Sequence, residues 1–333
     1  MNILTPIANA QEIQIFSKLG ANEFFSGYIN QKWIDNFNSL TDEKGIMQLP
    51  INRRTPLRTN ILSYGKLKEA VDMAENVKGR FYITLNASFY TENMYPYLRE
   101  YLYELLSAGV NRLIVSDIGI MELLNTEFPE FRLTASCVAQ IISSSTVEFY
   151  KNFDIERVVF PRHISVEDIC RIATNFPELE FECFGLCEKC LHDDGNCRSM
   201  HSVGAVCLDC WNSVYERIDG ESISPQIRHE LLLNEAMYKN WIAPNTLNQV
   251  SINNLGCSLC SIGSLLKHCN VKALKISGRG RGTEYVKHQI LILNTVIDMF
   301  CQNQSIERVQ EYVQQVLGMD HCIDNGYCVM RGI

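Results

Sequence analysis

The feature that most constrains this chain is an alternation of two kinds of segment. Short runs rich in β-branched and aromatic residues take turns with longer stretches of helical periodicity. NILTPI leads to AQEIQIFSKLG and then NEFFSGYI; YGKLKEAVDMAENV precedes RFYITLNA, and MYPYLREYLYELLSAG precedes RLIVSDI. IMELLNTEF comes before FRLTASCV, STVEFYKNF before ERVVFPRH, and VEDICRIATNF before LEFECFGL, which makes seven candidate strands by Cys183. An eighth, VKALKIS, follows the helical stretch SLCSIGSLLKHCN and is followed by EYVKHQILILNTVIDMFCQ. Eight strand and helix pairs in strict order predict an α/β chain closed as a (β/α)8 TIM-type barrel rather than an open doubly wound sheet.

Two excursions interrupt the alternation. The first, NQKWIDNFNSLTDEKGIMQLPINRRTPLRTN, carries Arg53 and Arg54 and falls between the second strand and its helix. The second is cysteine-rich and follows strand 7. One barrel domain is therefore expected, with residues 1–186 as the first seven β/α units, 187–256 as the cysteine-rich insertion, and 257–333 as the last unit and closing helices. SIERVQEYVQQVLGMDHCI has the amphipathic spacing of a closing helix. Loops that follow strands build the active face of such barrels, so both excursions fall where chemistry is expected.

With 333 residues, 46% of them hydrophobic, the chain can bury a substantial core. It shows no basic leader before an apolar run and no window of roughly 18 uninterrupted apolar residues, which predicts a cytoplasmic protein without membrane insertion. In a reducing compartment fourteen cysteines point to metal rather than to disulfides. A net charge of −8 argues against gripping nucleic acid by bulk electrostatics, while a local basic groove and a nucleic-acid substrate stay compatible with it.

Cys183, Cys187, Cys190, Cys197, Cys207 and Cys210 crowd into the stretch 181–211. Their spacing admits three readings. Cys187-x-x-Cys190 and Cys207-x-x-Cys210 have ribbon-type zinc spacing. Cys183, Cys187 and Cys190 have the spacing of the radical SAM iron ligands, although that motif normally follows the first strand of its barrel and carries an aromatic residue where this chain has Lys189. The third reading is a [4Fe–4S] cluster whose thiolates come from segments far apart in the sequence.

CLHDDGNC, from Cys190 to Cys197, has the spacing and the small Asp194-Gly195 centre of a cysteine pair found in the peptidase U32 family. ILTPIANAQEIQIFSKLGANEFFSG resembles the opening of that family and LTASCVAQ its S-T-Q strand; ERVVFPRHISVEDICRI is similar to its strand, arginine and helix, and NVKALKISGRGR to its K-I-E-G-R stretch. The resemblance runs in order over nearly the whole chain. Members of the family are described as peptidases, or as oxygen-independent hydroxylation proteins acting in ubiquinone synthesis or on ribosomal and transfer RNA. The hydroxylating members carry a [4Fe–4S] cluster on four cysteines. Carried over to this sequence, the resemblance implies Cys190, Cys197, Cys207 and Cys257 as ligands, with Cys210 the alternative for the third or fourth position. The chain departs from the family at Leu186-Cys187, where His-Gly is common, at Ser277, where a glutamate is expected, and at Val138 in place of the S-T-Q glutamine. Acid/base chemistry that depends on the histidine and the glutamate is therefore not carried over.

Beyond the cysteines, Lys275, Arg279 and Arg281 lie in LKISGRGRGTEY, where freed glycine N–H groups and a guanidinium make an anion site at the exit of strand 8; the alternative is a turn whose arginines face water. Arg162, at the exit of strand 6, is placed to grip a carboxylate or to pair with Glu167 or Asp168 in the next helix. His163 reads as a loop residue, and His192 and His201 as ligands only where a thiolate is replaced. Cys183, Cys137, Cys170, Cys269 and Cys301 fall in periodic elements and read as small core hydrophobes. The function expected is redox chemistry of the hydroxylating kind on an anionic, aromatic or nucleic-acid substrate, with Arg162, Lys275 and Arg279 holding an anionic small molecule or RNA. A homologous partner subunit is compatible with this. A U32-type peptidase and a zinc-stabilised binding or maturation protein are the alternatives.

Overall fold

The structure is a computed structural model that describes residues 1–37, 50–54, 57–188, 194–195, 217, 219–246, 255–318 and 328–330. Eight parallel strands, β1 (Asn2–Pro6), β2 (Glu23–Ser26), β3 (Arg80–Leu85), β4 (Arg112–Val115), β5 (Arg132–Ala135), β6 (Ile155–Val159), β7 (Glu180–Glu188) and β9 (Val271–Ile276), form one sheet. It closes on itself through parallel pairings of β6 with β7, β7 with β9, and β9 with β1. This is the predicted (β/α)8 barrel. All eight strands fall on the runs identified from alternation.

A further short strand, β8 (Leu255–Cys257), lies antiparallel on the end of β7, with Leu186 opposite Cys257 and Cys187 opposite Gly256. β7 itself runs to Glu188, two residues past the boundary drawn at 186. Of the stretch 187–256, the described residues form that strand end, the turn at Asp194 and Gly195, the irregular residues 217 and 219–224, the helix α8 (Pro225–Thr246) and the start of β8. Cys190, Cys197, Cys207 and Cys210, with His192 and His201, lie outside the described residues. The first excursion contains a helix that the alternation did not reveal, α2 (Gln31–Phe37).

Around the barrel run α1 (Ala10–Lys18), α3 (Tyr64–Asn76), α4 (Tyr95–Ser107), α5 (Ile118–Glu127), α6 (Ser144–Tyr150), α7 (Val166–Asn175), α9 (Ile262–His268), α10 (Thr283–Cys301) and the closing α11 (Ile306–Leu317). Side-chain caps start many of them: Asn9, Ser63, Asp117, Ser143, Ser165 and Ser305 each accept from a backbone N–H of the first turn. The large outer core fills the space between strands and helices, and the small cluster Leu4, Phe25, Tyr82 and Ile114 fills the barrel interior. No helix among the described residues is long and apolar enough to cross a membrane.

Candidate active site at the barrel mouth

Residues along a barrel strand alternate between the interior and the helices, so charges two apart share one face. Glu180 and Glu182 in β7 do this. Arg157, from β6 and only 1% exposed, donates to Glu23, Glu180 and Glu182. Glu180 is also held by Arg80, at 2.9 and 3.0 Å. Glu182 then accepts from Lys275 Nζ at 3.0 Å, and that ammonium lies 4.5 Å from the centre of the Phe25 ring. Lys275 faces the barrel interior, and its charge is balanced by Glu182.

Arg279 is treated differently. Gly278 and Gly280 on either side of it have φ of +112° and +90°, a backbone open to glycine at little cost. The turn they form carries the guanidinium inward, where the residue is 6% exposed. Nη1 donates to Thr84 Oγ1 at 2.7 Å and Nη2 to Asn52 Oδ1 at 2.6 Å, while Nε has no acceptor. Among the described residues no carboxylate pairs with it. Burial, then the positive charge of Arg54, pull its pKa down to about 9. Asn52 is oriented by Asn60, to whose Oδ1 it donates at 2.9 Å. A Cβ on Gly27 would fall 1.9 Å from Asn60 Oδ1 and 2.7 Å from Arg279 Nη1, so the polar cradle requires glycine at the exit of β2. The reading of Arg279 as a water-facing turn residue is thereby replaced by a buried one.

Arg162 pairs with neither Glu167 nor Asp168. Asp168 bonds Ser165 and Arg171 instead, and Arg162 grips Asp194, through its backbone N–H at 3.1 Å and through Nη1. Its guanidinium stacks 4.1 Å from the Phe184 ring centre. Arg53 Nη1 donates to the Asp194 carbonyl at 3.0 Å, and Gly195 N–H donates to Gln140 Oε1 at 2.6 Å. A Cβ on Gly195 would meet that oxygen at 2.4 Å. Three loops therefore pin the centre of the CLHDDGNC motif against the mouth. Gln140, two residues beyond the position read as lacking the family's glutamine, supplies one of these contacts. Cys137 is partly buried against the core as expected, yet it also neighbours this cluster: burial, then Asp194, push its thiol up to about 12 against the pull of Arg162, Lys275 and Arg53.

Removing the carboxylate that Arg162 grips should loosen this turn. Asp194→Asn is expected to cost about 1.5–3 kcal/mol, the worth of hydrogen bonds to a charged group, read as faster amide exchange at Asp194 and Gly195 with the barrel strands unchanged.

Cys257 is buried in β8. Its carbonyl accepts from Val329 N–H at 3.0 Å, and Cys328 lies beside it in a parallel bridge. Met330 N–H donates to the Arg162 carbonyl at 2.9 Å, so the segment 328–330 joins the Arg162 turn to β8. Cys187 packs its sulfur toward Gly256, where an added Cβ would lie 2.8 Å away. Cys183 is a buried member of the outer core, and burial raises its thiol strongly. Cys170 and Cys269 pack against that core as well and are joined to each other as a disulfide. No group of three or more metal-binding side chains occurs among the described residues.

Sequence reasoning passed over Asn52, Thr84, Glu182 and Arg157. The glutamates two apart in LEFECFGL were a usable signal for inward charge; Asn52 and Thr84 carried none.

Several known proteins are similar to this chain. The tRNA hydroxylation protein P of Haemophilus influenzae is 26% identical over 141 residues, 42% of this chain and 30% of that protein. The protein of the same name from Helicobacter pylori J99 is 22% identical over 310 residues, 91% of this chain and 66% of that protein. The tRNA hydroxylation protein P1 of Bacillus subtilis is 24% identical over 307 residues, 90% of this chain and 63% of that protein. The chain thus spans between about a third and two thirds of the length of these relatives. The model for peptidase family U32 matches residues 47–331; with a match over most of its length, the chain belongs to peptidase family U32.

Proposed function

We propose that this chain supports an oxygen-independent hydroxylation with RNA as the substrate class, using an iron–sulfur cluster at the barrel mouth. The observation that carries the reading is the anchoring of Asp194 and Gly195, midway between Cys190 and Cys197, to Arg162, Arg53 and Gln140 beside the cradle of Arg279. The relatives' names supply the reaction and the class of substrate. Thiolates of Cys190, Cys197, Cys207 and Cys257 would hold a [4Fe–4S] cluster, with Cys210 the alternative, and thiolate donors suit iron–sulfur ligation. The buried thiol of Cys257 on β8, next to the Arg162 turn through residues 328–330, fits such a donor set. When bound, the cluster supplies one-electron chemistry. The chain's own groups do the rest: Arg279 holds an anionic group of a substrate, Lys275 presents an ammonium fixed by Glu182, and Arg162 clamps the turn at Asp194 and Gly195.

Anaerobic purification with an absorption spectrum and assays of iron, sulfide and zinc tests the cluster. Brown protein with about four irons per chain is expected, and Cys257→Ser should lose much of that iron. A colourless protein carrying zinc would support the binding or maturation reading instead. For the reaction, tRNA and rRNA from cells lacking the protein should lack a nucleoside heavier by one oxygen. Cleavage of peptides by the metal-free chain would favour a peptidase.

A further inference from the structure

Cys170 lies within α7, and Cys269 directly follows α9 at the entry to β9. They are 99 positions apart in the chain, yet their Cα atoms are 4.6 Å apart and their sulfurs are joined. That Cα separation is within the range a disulfide spans. Both residues are partly exposed, so a small thiol or disulfide can reach them. The site is on the outer, helical layer, and it uses none of the groups at the mouth.

Its place in the topology is specific. α7 leads into β7, and Cys269 leads into β9, and these two strands are paired in the barrel although most of a hundred residues separate them in sequence. Everything the chain inserts between them, including the whole stretch 187–256, leaves and returns inside the loop that this bond closes. We infer that Cys170 and Cys269 form a reversible thiol–disulfide site that clasps the β7–β9 seam from outside. The reactant is an oxidised low-molecular-weight thiol. One protein thiolate attacks its disulfide, releasing one small thiol and leaving a mixed disulfide; the second protein thiolate then displaces the other small thiol. The protein loses two electrons and two protons, and the small disulfide is reduced to two thiols. Excess reduced thiol runs the exchange backwards.

A bond closing so long a loop restricts the unfolded chain far more than the folded one. The oxidised protein therefore keeps its seam closed whatever the insertion binds or releases, and the reduced protein depends there on packing alone.

The test uses the full-length protein equilibrated anaerobically with oxidised or reduced glutathione. Differential alkylation and peptide mass spectrometry should find Cys170 and Cys269 linked in the first and alkylated in the second. The thermal midpoint should be higher by about 5–10 °C when oxidised, the shift that loop-closure entropy of this size implies for a large domain. Cys170→Ser with Cys269→Ser should abolish that difference. Comparing redox states within each variant removes any effect of the substitutions on folding. Equal alkylation of both cysteines in the two conditions, or a redox-dependent midpoint that survives in the double variant, would overturn the inference.

Discussion

Arg157→Met should destabilise the protein by about 3–5 kcal/mol, the usual cost of removing one partner from a buried ion network. The side chain is 1% exposed and bonds three carboxylates, of which those of Glu23 and Glu182 are also almost wholly buried. In the native barrel the network balances: Arg80, Arg157 and Lys275 stand against Glu23, Glu180 and Glu182. Deleting the central cation leaves one negative charge unmatched inside the barrel. Tyr82 and Asn2 still donate to Glu23, at 3.2 and 2.6 Å, but neutral donors do not replace a charge at low dielectric. Arg157→Lys keeps the charge and loses the forked geometry, so its loss should be smaller.

The pH dependence gives this prediction a sign. Burial tends to raise the carboxyl of Glu180, but Arg157 and then Arg80 hold it below its ordinary value. A depressed folded-state pKa contributes stability above the unfolded value of about 4.3 that is lost as pH falls through the folded value. Arg157→Met removes the larger of the two cationic influences that hold Glu180 down, so the variant loses less stability than the wild type in acid. The stability gap between the two proteins, measured by urea denaturation, should be widest near pH 7 and narrow as pH falls below the unfolded value of about 4.3. A gap independent of pH would mean that lost packing, not unmatched charge, is the cause.

What could be read from the sequence follows physical range. Each barrel strand announces itself locally, because a strand buried on both faces must be a short apolar run between turn signals. Lys275 and Arg279 were found because a basic, glycine-punctuated string follows such a run. The partners of these cations were not legible: Arg157 and Glu23 are 134 positions apart, and Arg162 meets Asp194, 32 positions on, across an irregular stretch without periodicity. The three-residue β8 is too short to show a period. Cys170 and Cys269 looked like core residues because each sits in or beside an amphipathic helix, and nothing in one helix reports which helix it packs against. The distinction between Lys275 and Arg279, one neutralised and one not, likewise appears only once Glu182 and the cradle of Asn52 and Thr84 are in place.

That distinction leads to an opposite expectation for the other buried arginine. Arg279→Met should change stability by no more than about 1 kcal/mol, because two effects offset. The substitution loses hydrogen bonds to Thr84 and Asn52, and it also removes a buried cation that no carboxylate among the described residues compensates, together with its repulsion by Arg54. A buried charge that contributes little to folding is consistent with the anionic partner proposed for Arg279. Added inorganic phosphate at low ionic strength should raise the thermal midpoint of the wild type by binding the folded state, and Arg279→Met should lose that response. For an anionic substrate, removing one member of a buried charge pair costs about 2–5 kcal/mol, an affinity loss of at least about 30-fold. Lys275→Met is the comparison, since it leaves Glu182 to Arg157 alone and the buried network one positive charge short, and should lower stability in the manner of Arg157→Met. If Arg279→Met instead proves as unstable as Arg157→Met and still responds to phosphate, Arg279 is a strut of the barrel mouth and the anion must bind elsewhere.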